Sequence, residues 1–166
     1  MADLKTLRLE MLDERYIPAI LSIEQEANSA PWSERSFRGE LDNPDRIFLV
    51  ALSGGEVVGY GGVWLIIDEA HVTTVAVRSD LRRHGIGRKL MIDLLLRARE
   101  TGMKCSTLEV RASNEGAIRL YEELGYKRTA TRRKYYPDNN EDAVVMWLFD
   151  LESWDPPRKK KSVEDA

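Results

Sequence analysis

Residues 71–102, HVTTVAVRSDLRRHGIGRKLMIDLLLRARETG, hold an abrupt change of hydrophobic period. HVTTVAV (71–77) is apolar enough for a central strand. From residue 86 to 101, Leu90, Leu94 and Ala98 form one row and Met91 and Leu95 the next, with Gly102 placed as a C-terminal stop, so a helix is predicted. The connection contains Arg82-Arg83-His84-Gly85-Ile86-Gly87. Glycines there let backbone N–H groups gather around an anion, and the unpaired N–H groups opening a helix add partial positive charge. The chemistry suits a pyrophosphate, although a plain connecting loop would also use glycine. A P-loop and a dinucleotide fingerprint are both excluded, because the Gly-Lys-Ser/Thr ending and the third glycine of G-x-G-x-x-G are missing.

Upstream, TLRLEML (6–12) alternates as a half-buried strand. Asp13 can cap a helix in which Ile17, Ile20 and Leu21 recur up to about Asn28, with Pro18 near its start. Pro31 breaks it. Ser33 can cap a second short helix carrying Phe37 and Leu41, ended by Asn43-Pro44-Asp45. Strands are predicted at 47–52 and 56–67 around a Ser53-Gly54-Gly55 turn, and Gly59, Gly61 and Gly62 imply a bent strand or a close backbone approach. Downstream, STLEVR (106–111) returns to strand alternation, and Ser113 can cap a helix carrying Ala117, Ile118, Leu120 and Tyr121 that Gly125 ends. Strands at 126–136 and 142–151 close the chain around a polar turn. The order β, two helices, three strands, helix, strand, helix, two strands predicts mixed α/β layers rather than a regular βα alternation.

The 166 residues, 43% hydrophobic, suffice for one domain, taken as residues 1–152, with 153–166 as a flexible charged tail. A formal net charge of -3, from 25 Lys+Arg against 28 Asp+Glu, argues against non-specific nucleic-acid binding. The basic run Arg158 to Lys161 reads as solvated, with RNA phosphate contact as the alternative. One cysteine, no secretion signal and no long apolar run predict a cytoplasmic protein without a membrane segment. His71 and His84 do not supply a zinc site, and no metal is expected.

The run R-x-x-G-x-G at Arg82 to Gly87 resembles the pyrophosphate signature of the GNAT acetyltransferases, and the element order is similar to that fold. The resemblance implies a mixed, mostly antiparallel twisted sheet flanked by helices. It also implies that Arg82, Arg83, Gly85, Ile86 and Gly87 hold acetyl-CoA phosphates while the backbone of Val75 and Val77 pairs with pantetheine. PWSERSF (31–37), LEVRASNEGAIRLYEELGY (108–126) and RRKYYPDNNEDAVVM (132–146) are similar to the RimI-type ribosomal-protein alanine N-acetyltransferases, extending the match over roughly residues 5–150. The activity so implied is acetyl transfer from acetyl-CoA to a protein N-terminus, in particular the N-terminal alanine of a small-subunit ribosomal protein, by direct attack in a ternary complex. Broader N-terminal or small-amine acetylation is the catalytic alternative, and a non-catalytic acyl-CoA-binding module is the other.

Such a transfer needs a group to take the amine proton and one to stabilise the departing thiolate. The resemblance assigns the first role to Glu109, which lies in LEVR opposite the face of Leu108 and Val110; a surface carboxylate is its plain alternative. Glu69 is the reserve base. Tyr121 is the implied acid, against a core-aromatic reading, and Asn114 the implied cofactor-side residue, against a helix cap. Trp32, Tyr135 and Tyr136 match positions bordering the acceptor channel, where aromatic walls could restrict the first side chain to something small; core or rim aromatics are their plain alternative. Cys105 is read as an inert strand cysteine rather than an acetyl carrier.

Overall fold

The computed structural model describes residues 6–158, and its frame is a sheet of seven strands. These are β1 (Arg8–Met11), β2 (Arg46–Ser53), β3 (Glu56–Ile66), β4 (Glu69–Val77), β5 (Cys105–Arg111), β6 (Lys127–Tyr136) and β7 (Glu141–Leu148), in the spatial order β1-β2-β3-β4-β5-β7-β6. Every pairing is antiparallel except β4 with β5. Four helices complete it: α1 (Ile17–Ala27), α2 (Glu34–Arg38), α3 (Ile86–Glu100) and α4 (Glu115–Leu124). The mixed α/β layering and mostly antiparallel sheet expected from the sequence are present.

The two sheet faces are covered differently. On one, α1 and α2 bury Ile20, Ile23 and Phe37 against Phe48, Val50 and Tyr60. On the other, α3 lays Ile86, Leu90 and Leu94 on β2 and β3, while Met91 and Leu95 join α4, β5 and β7 through Leu108, Ile118 and Met146. Glycine makes the α3 contact possible. A Cβ on Gly59 would lie 3.0 Å from the Ala76 carbonyl and 3.2 Å from Ile86 Cγ2, and one on Gly61 would lie 3.0 Å from Leu94 Cδ1. Close approach, one of the two readings of these glycines, is what they provide, and it fixes where the N-terminus of α3 sits.

Local boundaries follow side-chain chemistry. Asp13 accepts from the Arg15 N–H at 3.0 Å and opens a 3-10 turn (Glu14–Tyr16) that feeds α1, rather than capping α1 itself. Ser33 caps α2 by accepting from the Ser36 N–H at 3.1 Å. That helix stops at Arg38, short of Leu41, because Gly39 follows and Asp42 takes the left-handed conformation at φ 56°. The cap of α4 is Asn114, not Ser113: Asn114 Oδ1 accepts from the Ala117 N–H at 3.2 Å, while the Ser113 N–H donates to Glu141 at 3.0 Å. Gly125 ends α4 at φ 108°, the left-handed stop expected of it.

The segment expected to start a flexible tail at residue 153 is packed at its beginning. Leu151 and Trp154 are buried, the Leu151 N–H donates to the Lys104 carbonyl, and Trp154 Nε1 donates to the Leu124 carbonyl at 2.7 Å. Arg88 reaches the carbonyl of Pro157. A large aromatic with a paired N–H outweighs the polar composition around it. Lys159 to Lys161, most of the basic run, lie outside the described residues.

Candidate active site

Parallel strands β4 and β5 pair only over Glu69↔Cys105, Ala70↔Ser106 and His71↔Thr107. Beyond His71 they part, leaving residues 72–77 of β4 hydrogen-bonded to β3 alone. A β-bulge at the parting assists: the register slips between Gly62 and Val63, Thr73 is the extra residue, and its hydroxyl donates to the Gly62 carbonyl at 3.2 Å. The gap opens into a cleft of about 760 Å³, lined from α1 and the loop after it on one side of the sheet and from α4 on the other.

The cleft brings together Glu109, Tyr121, Asn114, Trp32, Tyr135 and Tyr136, together with Val75. Glu109 stands on the face of β5 opposite buried Leu108 and Val110, and its carboxylate is held by Arg132 Nε at 3.0 Å. Tyr121 enters from α4, packed edge-on to Tyr126 with centroids 5.9 Å apart. Burial, then the neighbouring Tyr136, pushes its hydroxyl up to about 12. No hydrogen bond to that hydroxyl is present among the described residues, and it is not a sealed polar atom, so it faces the opening. Hydrogen bonding to Glu109, then burial, raises the Tyr135 hydroxyl above its ordinary range; burial is the first cause for Tyr136.

Three groups invisible to sequence reasoning complete the walls. Glu24, 1% exposed, accepts from the Tyr60 hydroxyl at 2.7 Å and from the Trp32 N–H at 3.1 Å, so a buried carboxylate fixes the Trp32 wall. Arg111 donates to Asp138 at 3.0 Å, approaches Glu141 at 3.5 Å and lies 4.0 Å above the Tyr136 ring. Asp138 also accepts from Ser29, which ties the turn between β6 and β7 to the loop between α1 and α2 across one end of the cleft. Ser29 and Asp138 are 109 residues apart, and no local pattern signals their meeting. Arg132 could be sought only once β6 was known to lie beyond β7.

Arg82, Arg83, Gly85, Ile86, Gly87 and Val77 do not line this cleft. Val77 ends β4, and the others follow it. Gly85 adopts φ 83°, and α3 begins without any side-chain cap, its first helical bond running from the Lys89 N–H to the Gly85 carbonyl at 3.1 Å. The N–H groups of Ile86, Gly87 and Arg88 are thus left over at a helix start. A Cβ on Gly87 would have Leu120 and Val77 at 3.8 Å, so the loop borders the open edge of β4 and keeps free space above it. His84 Nδ1 faces the Leu81 and Arg82 carbonyls at 3.1 and 2.9 Å; carbonyls only accept, so Nδ1 carries the proton and pins the loop. Arg82 and Arg83 are exposed, and Ile86 buries its side chain, leaving only its backbone for a ligand.

Glu69, the reserve base, does not line the cleft; it meets His71 Nε2 at 2.9 Å. Its register partner is Cys105, four residues or about 13 Å along β5 from Glu109. Burial, then Glu69 and Asp68, pushes the Cys105 thiol up, which disfavours the thiolate. Among the described residues no three His, Cys, Asp or Glu side chains gather as a metal site, and no helix is long and apolar enough to cross a membrane.

The model of the acetyltransferase (GNAT) family matches residues 17–126. An Escherichia coli protein named as the ribosomal protein bS18 alanine N-acetyltransferase is 37% identical over 142 residues, covering 84% of this chain and 95% of its own. The crystal structure of the E. coli ribosomal-protein alanine N-acetyltransferase superposes with a TM-score of 0.79 at 34% identity, over 86% of this chain and 93% of that one. Ard1 from Thermoplasma volcanium superposes with the same TM-score at 29% identity, over 88% and 99% of the two chains.

Proposed function

The chain belongs to the acetyltransferase (GNAT) family, and from that premise we propose that it transfers acetyl from acetyl-CoA to the N-terminal amine of a protein, specifically to the N-terminal alanine of a small-subunit ribosomal protein. The observation that carries this is the parting of β4 and β5: it leaves a free strand edge, a loop of helix-start N–H groups beyond it, and a cleft lined by a carboxylate and a buried tyrosine. The residues present fit acetyl-CoA. Unpaired N–H groups at Gly85 to Arg88 suit its pyrophosphate, and the edge of β4 through Val75 and Val77 suits its pantetheine amides. When bound, acetyl-CoA supplies the activated acetyl thioester.

Glu109 takes the proton from the attacking ammonium, directly or through water, while Arg132 sets the direction of its carboxylate. An N-terminal amine has a pKa of about 7.7 to 8.0, so near neutral pH this is a modest task. Tyr121 presents its hydroxyl to the departing sulfur. Burial keeps that hydroxyl protonated near neutral pH, so it is available as a donor to the developing thiolate, the general-acid role. Trp32, Tyr135 and Tyr136 restrict the first residue. The reaction runs in the cytoplasm on a protein substrate, without a metal.

The experiment is an acceptor series. With acetyl-CoA present, a peptide beginning with Ala should release CoA at a kcat/KM at least about tenfold above the same peptide beginning with Leu or Lys. Equal values across the series would remove the alanine specificity. Absence of CoA release with every peptide would remove catalysis and leave acyl-CoA binding alone.

A further inference from the structure

Strand register continues the cleft floor down the sheet. Trp64 pairs with His71, His71 with Thr107, and Thr107 with Trp147, a row across four strands whose members all line the cleft. The next row on the same face starts Ile66↔Glu69↔Cys105, and extending the register by one residue sets Phe149 level with Cys105. This outer row is apolar at both flanks and open: Ile66 is 43% and Phe149 61% exposed, and Phe149 stacks on Trp147 at 6.1 Å. Beside it, at the tip between β3 and β4, Ile67 is 93% exposed and holds φ 58°. A β-branched residue there is strained, and among the described residues no packing repays the strain.

We propose that this outer row, with the Ile67 tip, is a docking surface for the acceptor polypeptide downstream of its reacting amine, and that it takes an apolar or aromatic side chain about four to five residues into that chain. The inference rests on the function proposed above and extends it. The occupant is the acceptor because the surface continues the cleft floor without a break and because the opposite end of the cleft is bridged by Ser29, Asp138 and Arg111. An extended chain with its amine at Glu109 and its body running away from that bridge travels about 13 Å to the level of Cys105, the length of about four residues. There it meets the ends of the outer row, Ile66 and Phe149, set three strand spacings apart, about 14 Å, with Glu69 and Cys105 between them.

The test compares two acceptors that share an Ala-initiated sequence, one ending after residue three and one after residue eight with Phe at positions four and five. The wild-type chain should acetylate the longer peptide with kcat/KM about tenfold higher, expressed through KM. In the double variant Ile66→Ser, Phe149→Ser the long-to-short ratio should fall to about one, and replacing both Phe of the long peptide by Ser should do the same in the wild type. Ile67→Asn supplies the control for folding. Asn tolerates the left-handed conformation, so this variant should melt at a higher temperature while its ratio falls, the reverse of what a purely structural isoleucine would give. A short peptide that turns over normally with no length effect, or a ratio unmoved in both variants, overturns the docking surface and leaves the proposed activity standing. Failure of both peptides to react overturns both.

Discussion

Glu109 and Tyr121 reach the same cleft from different surroundings, one held by a cation on a strand face, the other sunk among core aromatics. Glu109→Gln keeps an oxygen for Arg132 but loses basicity, so kcat should fall roughly 10²- to 10⁴-fold at pH 7 while acetyl-CoA affinity stays. The deficit should narrow above pH of about 8, where the acceptor amine is already neutral; stopped-flow CoA release from pH 6.5 to 9.5 reads this directly. A flat deficit would move the base elsewhere. Tyr121→Phe should show no such rescue, and a thioester with a better leaving group should restore it instead. The same tyrosine has a stability signature. Its folded pKa of about 12 lies above the unfolded value of about 10, so its contribution is complete below pH of about 10 and is lost as pH rises toward 12. The side of β5 that Glu109 occupies was legible from the alternation Leu108, Glu109, Val110. Glu24 was not, because the partner that makes its burial tolerable, Tyr60, is 36 residues away and nothing local links them.

Among the elements, α3 and its approach carry the most information. The period change at residue 86 and the glycines before it could be read directly, since helix periodicity and left-handed turns are local properties. What could not be read is non-local. The order β5-β7-β6 depends on pairings that slip between Arg128 and Ala130 and again between Arg132 and Tyr136, and β6 is exposed along nearly its whole length, so no hydrophobic face announces its register. The choice between Ser113 and Asn114 as a cap turned on Glu141, which takes the Ser113 N–H from a distant strand. For α3 the consequence is testable. A Cβ at Gly87 finds only ordinary contacts at 3.8 Å, so Gly87→Ala should fold normally, and Gly87→Val should also fold but project branched bulk over the free N–H groups of the helix start. Calorimetry should find acetyl-CoA binding weakened at least about tenfold in Gly87→Val and less in Gly87→Ala. Unchanged affinity in a folded Gly87→Val chain would dissociate this loop from the cofactor.

At the scale of the whole molecule, the end of the described chain closes the α3 and α4 layer. Composition pointed to a solvated segment from residue 153 because prolines and charges surround Trp154, but a single indole with somewhere to go decides the matter. Trp154 is 8% exposed in the main core, beneath Gly125, where a Cβ would come 3.7 Å from its Nε1. Arg99 holds its carbonyl, and Arg88, in the first turn of α3, holds that of Pro157. The segment therefore links the two ends of α3, one of which faces the proposed phosphate loop. Trp154→Ala should cost about 3–5 kcal/mol, the usual range for an emptied aromatic site. Trp154→Phe keeps most of the apolar contact but strands the Leu124 carbonyl, and should cost about 1–3 kcal/mol. Urea unfolding followed by circular dichroism measures both. If the segment is only a passenger, both variants will match the wild type; if it closes the layer, their midpoints will fall in the order wild type, Phe, Ala, with the m-value unchanged. Because α3 positions the helix start at Gly85 to Arg88, KM for acetyl-CoA should rise in Trp154→Ala while kcat at saturating acetyl-CoA holds, a split that separates loosening of the helix from damage to the Glu109 and Tyr121 chemistry.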